Sequence, residues 1–124
     1  MSFRLDSKNF LDPKTCYEMW AKQRISIYNS AKILAGRGVV NPKTGKPPTP
    51  QGVWRAASLY ILEHPETAKA DTVSLFSQHG QVWDEQAERD FALELISKAR
   101  QFLSRTKYKQ FIQKNPGLKQ YEQS

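Results

Sequence analysis

The sequence is poor in the residues that build disulfides and metal centres. Among 124 residues there are one cysteine, Cys16, and two histidines, His64 and His79. A lone cysteine cannot form an internal disulfide, and one thiol with two imidazoles falls short of the four ligands of a structural zinc site. We therefore expect no disulfide, no bound metal and no cofactor, and we assign Cys16 no role.

Long hydrophobic runs are also missing. No stretch approaches the roughly 18 consecutive apolar residues of a membrane-spanning helix. The first ten residues, MSFRLDSKNF, lack the apolar core of a signal peptide. Together with the single cysteine, these absences predict a cytoplasmic, intracellular protein that does not enter a membrane.

Alternation of apolar and polar residues, the pattern of strands, is absent as well, and so are internal repeats and low-complexity tracts. Hydrophobic residues nevertheless make up 39% of the chain, with three Trp, five Tyr and six Phe, which is enough for one modest core. We predict an all-α fold, a small domain of four to five helices that contains a helix-turn-helix-like element.

Helix positions follow from apolar residues that recur every three or four positions and from boundary residues such as Asp, Thr, Pro and Gly. The predicted helices are 14–36 with a break allowed near Arg24, 50–64, one short helix after Pro65, 84–103, and 107–114. Residues 1–13 are expected to form an irregular arm that ends at the helix entry Asp12-Pro13. Residues 115–124 are expected to form a loose tail, which leaves one helical domain over 14–114.

The charge of the chain points to a polyanionic partner. The formal net charge is +7 and the pI is about 9.6. Residues 1–62 carry ten Lys/Arg against three Asp/Glu, residues 63–94 carry two against eight, and residues 95–124 carry seven against one. Clustered basic residues favour binding to nucleic acid through counterion release. The acidic middle argues against a polyelectrolyte that binds polyanions along its whole length. Helix faces of unequal charge that merely contact solvent are the alternative explanation.

Four of the seven prolines lie within the stretch NPKTGKPPTPQGVWRAA, residues 41–57. Pro42, Pro47 and Pro48 exclude a helix through the loop, whereas Thr49-Pro50 supplies an N-cap hydroxyl and a proline at the first helical position. The order helix, connection and capped second helix is that of a helix-turn-helix, whose second helix offers its N-terminal side chains to base edges.

On this interpretation Gln51 and Arg55 enter the major groove, where Gln pairs with adenine and Arg with guanine. Thr49 and Gly52 let the backbone approach a phosphate, and the loop lysines hold the sugar-phosphate chain. The residues predicted to bind DNA are Lys43, Thr44, Lys46, Thr49, Gln51, Gly52, Arg55 and Ser58. A proline-rich connection between two core helices, with both lysines in solvent, is the alternative.

The stretch AKILAGRGVVNPKTGKPPTPQGVWRAA, residues 31–57, resembles the helix-turn-helix DNA-binding segment that follows the catalytic domain in large serine recombinases and its relatives among phage and plasmid regulators. The matching positions are Ala31, Leu34, Arg37-Gly38, Pro42, Lys43, Gly45, Lys46, Thr49-Pro50 and Val53. Pro48 replaces the Trp usual in that family, and these 124 residues hold no recombinase catalytic domain. The resemblance therefore implies DNA reading without strand exchange.

The C-terminal part interleaves basic and aromatic residues, a pattern that can stack single-stranded bases. We favour the other arrangement, in which Tyr108, Phe111 and Ile112 form a buried helix face and the lysines surround it. Secondary contacts to nucleic acid are assigned to Arg105, Lys107, Lys109 and Lys114.

Enzymatic motifs are not complete. VVNPKTGKP has Val40 and Pro47 where a phosphate-binding P-loop needs Gly and Ser/Thr. The acidic residues Asp84, Glu85, Glu88, Asp90 and Glu94 could suggest a metal-dependent nuclease, but along one helix they fit its positive N-terminal dipole better. We expect no catalytic residue and no enzyme activity.

Two functions follow from these patterns. The first is a sequence-specific DNA-binding regulator of phage, plasmid or mobile-element type, whose partner is double-stranded DNA; a homodimer and a protein partner are both left open. The second is a small helical adaptor of a viral or nucleoprotein complex, which binds a protein through its acidic middle and nucleic acid nonspecifically.

Overall fold

A computed structural model describes residues 10–122, so residues 1–9 of the arm predicted over residues 1–13 lie outside the described residues. Within residues 10–122 every regular element is helical and no strand occurs, which confirms the all-α prediction. The elements are α1 (Pro13–Ala21), α2 (Ile27–Gly36), α3 (Pro50–Glu63), α4 (Pro65–Gln78), α5 (Glu85–Phe102), α6 (Arg105–Lys114) and a 3-10 helix, η1 (Pro116–Tyr121). None of the described helices has the length and apolar character that crossing a membrane requires.

The chain forms two compact units, one up to Glu63 and one from His64 onward, and each is described by itself. A single helical domain over residues 14–114 stays a prediction. The first unit contains α1, α2 and α3, and the second contains α4, α5, α6 and η1.

The break near Arg24 that the sequence allowed is present. Helix α1 starts where Asp12 caps it, with the carboxylate accepting the Thr15 backbone N–H at 3.3 Å, and it ends at Ala21. Arg24 then adopts a left-handed backbone conformation with φ of 59°. Ser26 caps α2 by accepting the Asn29 N–H at 3.1 Å, so two helices replace one continuous helix.

Helix α3 is the core of the first unit, packed mainly against α1 and also against α2. The rings of Tyr17 and Tyr60 stack with centroids 4.7 Å apart. Seven of the 14 residues of α3 are buried, and Val53 has no exposed surface at all. Cys16 is equally buried, and burial, helped by Asp12, raises the pKa of its thiol to about 12, so the thiol stays protonated and unreactive.

Helix α5 organises the second unit and contacts α6 and η1. It begins where predicted, because the Asp84 carboxylate accepts the Ala87 N–H at 2.8 Å. Helix α4 runs over 14 residues, longer than the short helix predicted, and Ala68 is its only buried residue. Between α4 and α5 lies Trp83, whose ring contacts Phe76 and Phe91 at centroid distances of 5.0 and 6.0 Å.

The loose tail predicted over residues 115–124 is wrong for residues 116–121, which form η1. Leu118 is buried there. The Tyr108 hydroxyl donates to the Glu122 carboxylate at 2.8 Å, and the Arg100 guanidinium donates to the Glu122 backbone oxygen at 3.0 Å. The buried side chain of Leu118 and the two hydrogen bonds to Glu122 therefore hold in place a segment whose composition is mostly polar.

Candidate nucleic-acid interface

The connection between α2 and α3 spans residues 37–49, far longer than the turn of about three or four residues in the simplest helix-turn-helix. Two residues beyond the end of α2, Gly38 has a left-handed φ of 83° and donates its N–H to the Ala35 carbonyl at 3.0 Å. A connection of this length leaves room for a structured loop beside the start of α3.

Asn41 closes that loop into a compact turn. The Asn41 N–H donates to the Lys46 carbonyl at 2.9 Å, and the Asn41 carbonyl accepts the Gly45 N–H at 2.7 Å. Its side-chain oxygen accepts the Lys43 N–H at 2.9 Å. Gly45 has a left-handed φ of 70°, which favours glycine at this position. We call residues 41–46 the Asn41 turn.

The Asn41 turn presents Lys43, Thr44 and Lys46 at the surface, where all three are exposed. The Thr44 hydroxyl oxygen accepts the Lys46 N–H at 3.2 Å, which leaves the hydroxyl proton to donate outward. These three predicted contact residues therefore lie together on an ordered tip.

Helix α3 starts with the cap that the sequence predicted. The exposed Thr49 hydroxyl accepts the Gly52 N–H at 3.0 Å, and the Thr49 carbonyl accepts the Val53 N–H at 3.0 Å. The amide of Gly52 is thus already engaged within the protein. A Cβ at Gly52 would lie 3.3 Å from the Thr49 hydroxyl oxygen and 3.5 Å from a methyl group of Leu11, so glycine permits close packing here.

Gln51 is exposed and Arg55, one turn later on the same side of α3, is partly exposed. Between them in sequence is the partly exposed Trp54, whose ring meets Trp20 edge to face with centroids 5.5 Å apart. Residue Trp20 is 37% exposed. The first two turns of α3 therefore offer an amide, a guanidinium and an indole to the surface.

Ser58 is not part of this surface, and its prediction as a DNA contact is wrong. It lies one turn beyond Arg55 on the same side of α3, but its exposed fraction is 0%. The reason is that α3 is buried on nearly every side from Ala56 to Leu62, with Tyr60 the only partly exposed residue. Only the N-terminal end of the helix can meet a ligand.

Within the first unit, residues 19–62 carry charge of one sign only. Between residues 19 and 62 there are seven Lys/Arg and no Asp/Glu. Six of the seven are exposed, and the seventh, Arg55, is partly exposed. Outside this stretch, Glu18 lies 3.9 Å from the Lys22 ammonium. The seven cations are Lys22, Arg24, Lys32, Arg37, Lys43, Lys46 and Arg55.

The secondary contact residues Arg105, Lys107, Lys109 and Lys114 are all exposed along α6. Phe111 and Ile112 are buried, and Tyr108 is partly buried. The predicted buried aromatic face of this helix is therefore confirmed, and base stacking by these rings has no geometric support.

The second unit contains an open groove of about 340 Å³. Among the described residues that line it there is no cysteine, histidine or serine, so no Cys–His or Ser–His pair lies there. Glu88 on its wall bonds to the Lys69 ammonium and accepts the Trp83 indole N–H at 3.4 Å. The Lys69 hydrogen bond lowers the pKa of Glu88, so this carboxylate serves as a structural anion. Within residues 10–122, no three candidate metal ligands come together.

Two features of the interface were not predicted from the sequence. The role of Asn41 had a signal in the spacing of Asn41, Pro42 and Gly45, which is typical of a closed turn. The pairing of Trp20 with Trp54 had none, because it depends on how α1 crosses α3. Comparison with known proteins gives no match: no family model, no curated protein and no solved structure is significantly similar to the chain.

Proposed function

We propose that the first unit binds double-stranded DNA with sequence preference and that the protein acts as a small regulator. The observation that carries this proposal is the position of the ordered basic Asn41 turn beside the capped, exposed start of α3, in a stretch of 44 residues without a carboxylate. Such a surface attracts phosphates and holds base-reading side chains in place.

Each part of the surface has a distinct role. Lys43 and Lys46 neutralise phosphates, with Thr44 donating a hydrogen bond to the same strand. Gln51 and Arg55 reach base edges in the major groove, where the amide pairs with adenine and the guanidinium with guanine. The closed turn lowers the entropy lost when the lysines are fixed on DNA.

The burial of α3 sets the geometry of binding. Because the helix surface beyond Arg55 is covered, α3 enters the groove by its N-terminal end rather than lying along it. Two bidentate contacts provide roughly 2–6 kcal/mol of discrimination, near the lower end of the roughly 4–10 kcal/mol that separates specific from nonspecific binding. A second copy on a palindromic site would supply the remainder.

Selection of sites from a random DNA pool, followed by binding of the selected and a scrambled duplex, tests the proposal. Gln51→Ala and Arg55→Ala should remove the preference for the selected duplex, whereas Lys43→Ala and Lys46→Ala should weaken binding to both duplexes. Arg89→Ala is the matched control, since Arg89 is an exposed cation between two carboxylates in the second unit. Equal losses on both duplexes for the first four variants would refute the role of α3.

One observation favours the adaptor as a second candidate. Helix α4 buries only Ala68, and the nearby Val82 is 80% exposed, within the acidic stretch 63–94. A weakly buried helix in an acidic stretch offers its carboxylates to a basic protein partner. If the random pool yields no preferred site while nonspecific binding persists, the adaptor becomes the better explanation.

A further inference from the structure

We infer that α6 and η1 carry a second nucleic-acid-binding surface, which holds the phosphate backbone without sequence preference. This α6 surface consists of the exposed cations Arg105, Lys107, Lys109, Lys114 and Lys119. It belongs to the second unit and does not require the base-reading role proposed for α3.

Up to residue 121, the charge of this region is as one-sided as that of residues 19–62. Residues 95–121 contain seven Lys/Arg and no Asp/Glu. Lys98 and Arg100 are not part of the α6 surface: Lys98 is buried with its ammonium 3.5 Å from Glu94, and Arg100 donates to the Glu122 backbone. The Glu122 carboxylate that follows accepts the Tyr108 hydroxyl. In sequence, then, exposed cations far outnumber carboxylates between residues 95 and 122, where Glu122 is the single acidic residue.

The apolar face of α6 is used inside the unit. Phe111 and Ile112 are buried, and the Tyr108 hydroxyl is bonded to Glu122, so no ring on this helix is presented for stacking on a base. A helix of ten residues is about 15 Å long, and a duplex of that length carries about nine phosphates. Contacts of lysine and arginine with phosphates alone carry no sequence information.

The burial of the apolar face of α6 also indicates the kind of partner that this helix binds. A helix that inserts into a membrane surface needs an exposed apolar face, and most protein interfaces have an apolar or aromatic centre. The large exposed hydrophobic residues of the described chain are Trp20, Tyr28, Val40 and Val82, all outside residues 95–122. Exposed cations along both edges of the outward face of α6, with the uncharged Thr106, Gln110 and Gln113 between them, fit the phosphate backbone of a nucleic acid best.

The test uses the full chain and the salt dependence of binding to a random-sequence duplex, measured by fluorescence anisotropy between about 50 and 200 mM salt. Lys109→Gln with Lys114→Gln should reduce the slope of log K against log salt by about 1 to 2, because each lost phosphate contact contributes about 0.9. Lys14→Gln with Arg89→Gln has the same net charge and should leave the slope unchanged, since both cations have neighbouring carboxylates. The pair Lys109→Arg and Lys114→Arg should keep the slope of the parent.

Equal slopes for the α6 variant and its charge-matched control would overturn the inference. So would tighter binding of polyglutamate than of the duplex at equal salt, which would assign the surface to an acidic protein. Repeating the salt series on α6 variants that also carry Gln51→Ala and Arg55→Ala separates the two proposals. A slope change that persists there supports the α6 surface even if no preferred sequence exists.

Discussion

Ser58 allows the structure to be tested against the sequence pattern directly. The pattern places its hydroxyl on DNA, whereas the structure buries the side chain completely within α3. The hydroxyl oxygen has no hydrogen-bond partner among the described residues. Replacing Ser58 with Ala removes that unsatisfied group and changes the side-chain volume little, so the substitution should stabilise the protein.

The magnitude follows from two contributions. An unsatisfied buried hydroxyl destabilises the folded state by about 1–3 kcal/mol. Ala also exceeds Ser in helix propensity by about 0.5 kcal/mol. Since some contact with the oxygen atom is lost, we expect Ser58→Ala to raise the free energy of unfolding by about 1–2 kcal/mol. Ser30→Ala in α2 should behave in the same way, because Ser30 is equally buried and also lacks a partner.

Urea unfolding followed by circular dichroism measures this change through the midpoint at constant m-value. Ser97→Ala is the matched control: Ser97 lies on the exposed side of α5, so only the propensity gain of about 0.5 kcal/mol applies. Binding of Ser58→Ala to DNA should equal that of the parent protein. A stability gain no larger than that of the control, or a lost preference between DNA sequences, would refute the burial of Ser58.

Much of the fold could be predicted because helix boundaries depend on residues that are neighbours in sequence. Asp12-Pro13, Thr49-Pro50 and Asp84 each combine a side-chain acceptor with a favourable first turn, and each caps a helix in the structure. A cap depends on three or four neighbouring residues, so it can be recognised without knowledge of the tertiary packing. The all-α class follows from the same signals.

The error at Ser58 has a different origin. The apolar spacing of α3 identifies one buried face through Val53 and Ala57, but α3 contacts both α1 and α2 and is buried around most of its circumference. The number of helices that surround a given helix is a tertiary property. Small residues such as Ala56 and Ser58 are compatible with exposure and with close helix contact alike, so periodicity cannot separate the two.

The interface itself was predictable in part. Lys43, Lys46, Thr49 and Gln51 are exposed as a binding role requires, because a proline-rich polar loop and a helix N-terminus tend to lie at the surface. The spacing of Asn41, Pro42 and Gly45 is typical of a closed turn, but the individual hydrogen bonds of Asn41 depend on backbone geometry that the spacing does not specify. DNA binding and its sequence preference stay predictions.

Three further changes probe the cap, the loop and the second unit. Thr49→Val should destabilise the protein by about 1 kcal/mol in urea unfolding because the Gly52 N–H loses its acceptor, and Thr49→Ser should restore stability. Asn41→Ala should leave stability within about 0.5 kcal/mol but weaken DNA binding, since the loop loses the bond that orders Lys43; unchanged affinity would show that loop order is irrelevant. Glu88→Gln tests the pairing of Glu88 with Lys69. The pKa of Glu88 is lowered in the folded state, so ionised Glu88 stabilises the protein above its unfolded-state pKa, and this contribution disappears as pH falls through the folded-state pKa. Because both side chains are about 40% exposed, the Gln variant should be less stable by at most about 1 kcal/mol near pH 7. That difference should shrink as pH falls below the unfolded-state pKa and vanish once Glu88 is protonated in the folded state. A difference that persists in acid would mean that Glu88 stabilises the fold through packing rather than through its charge.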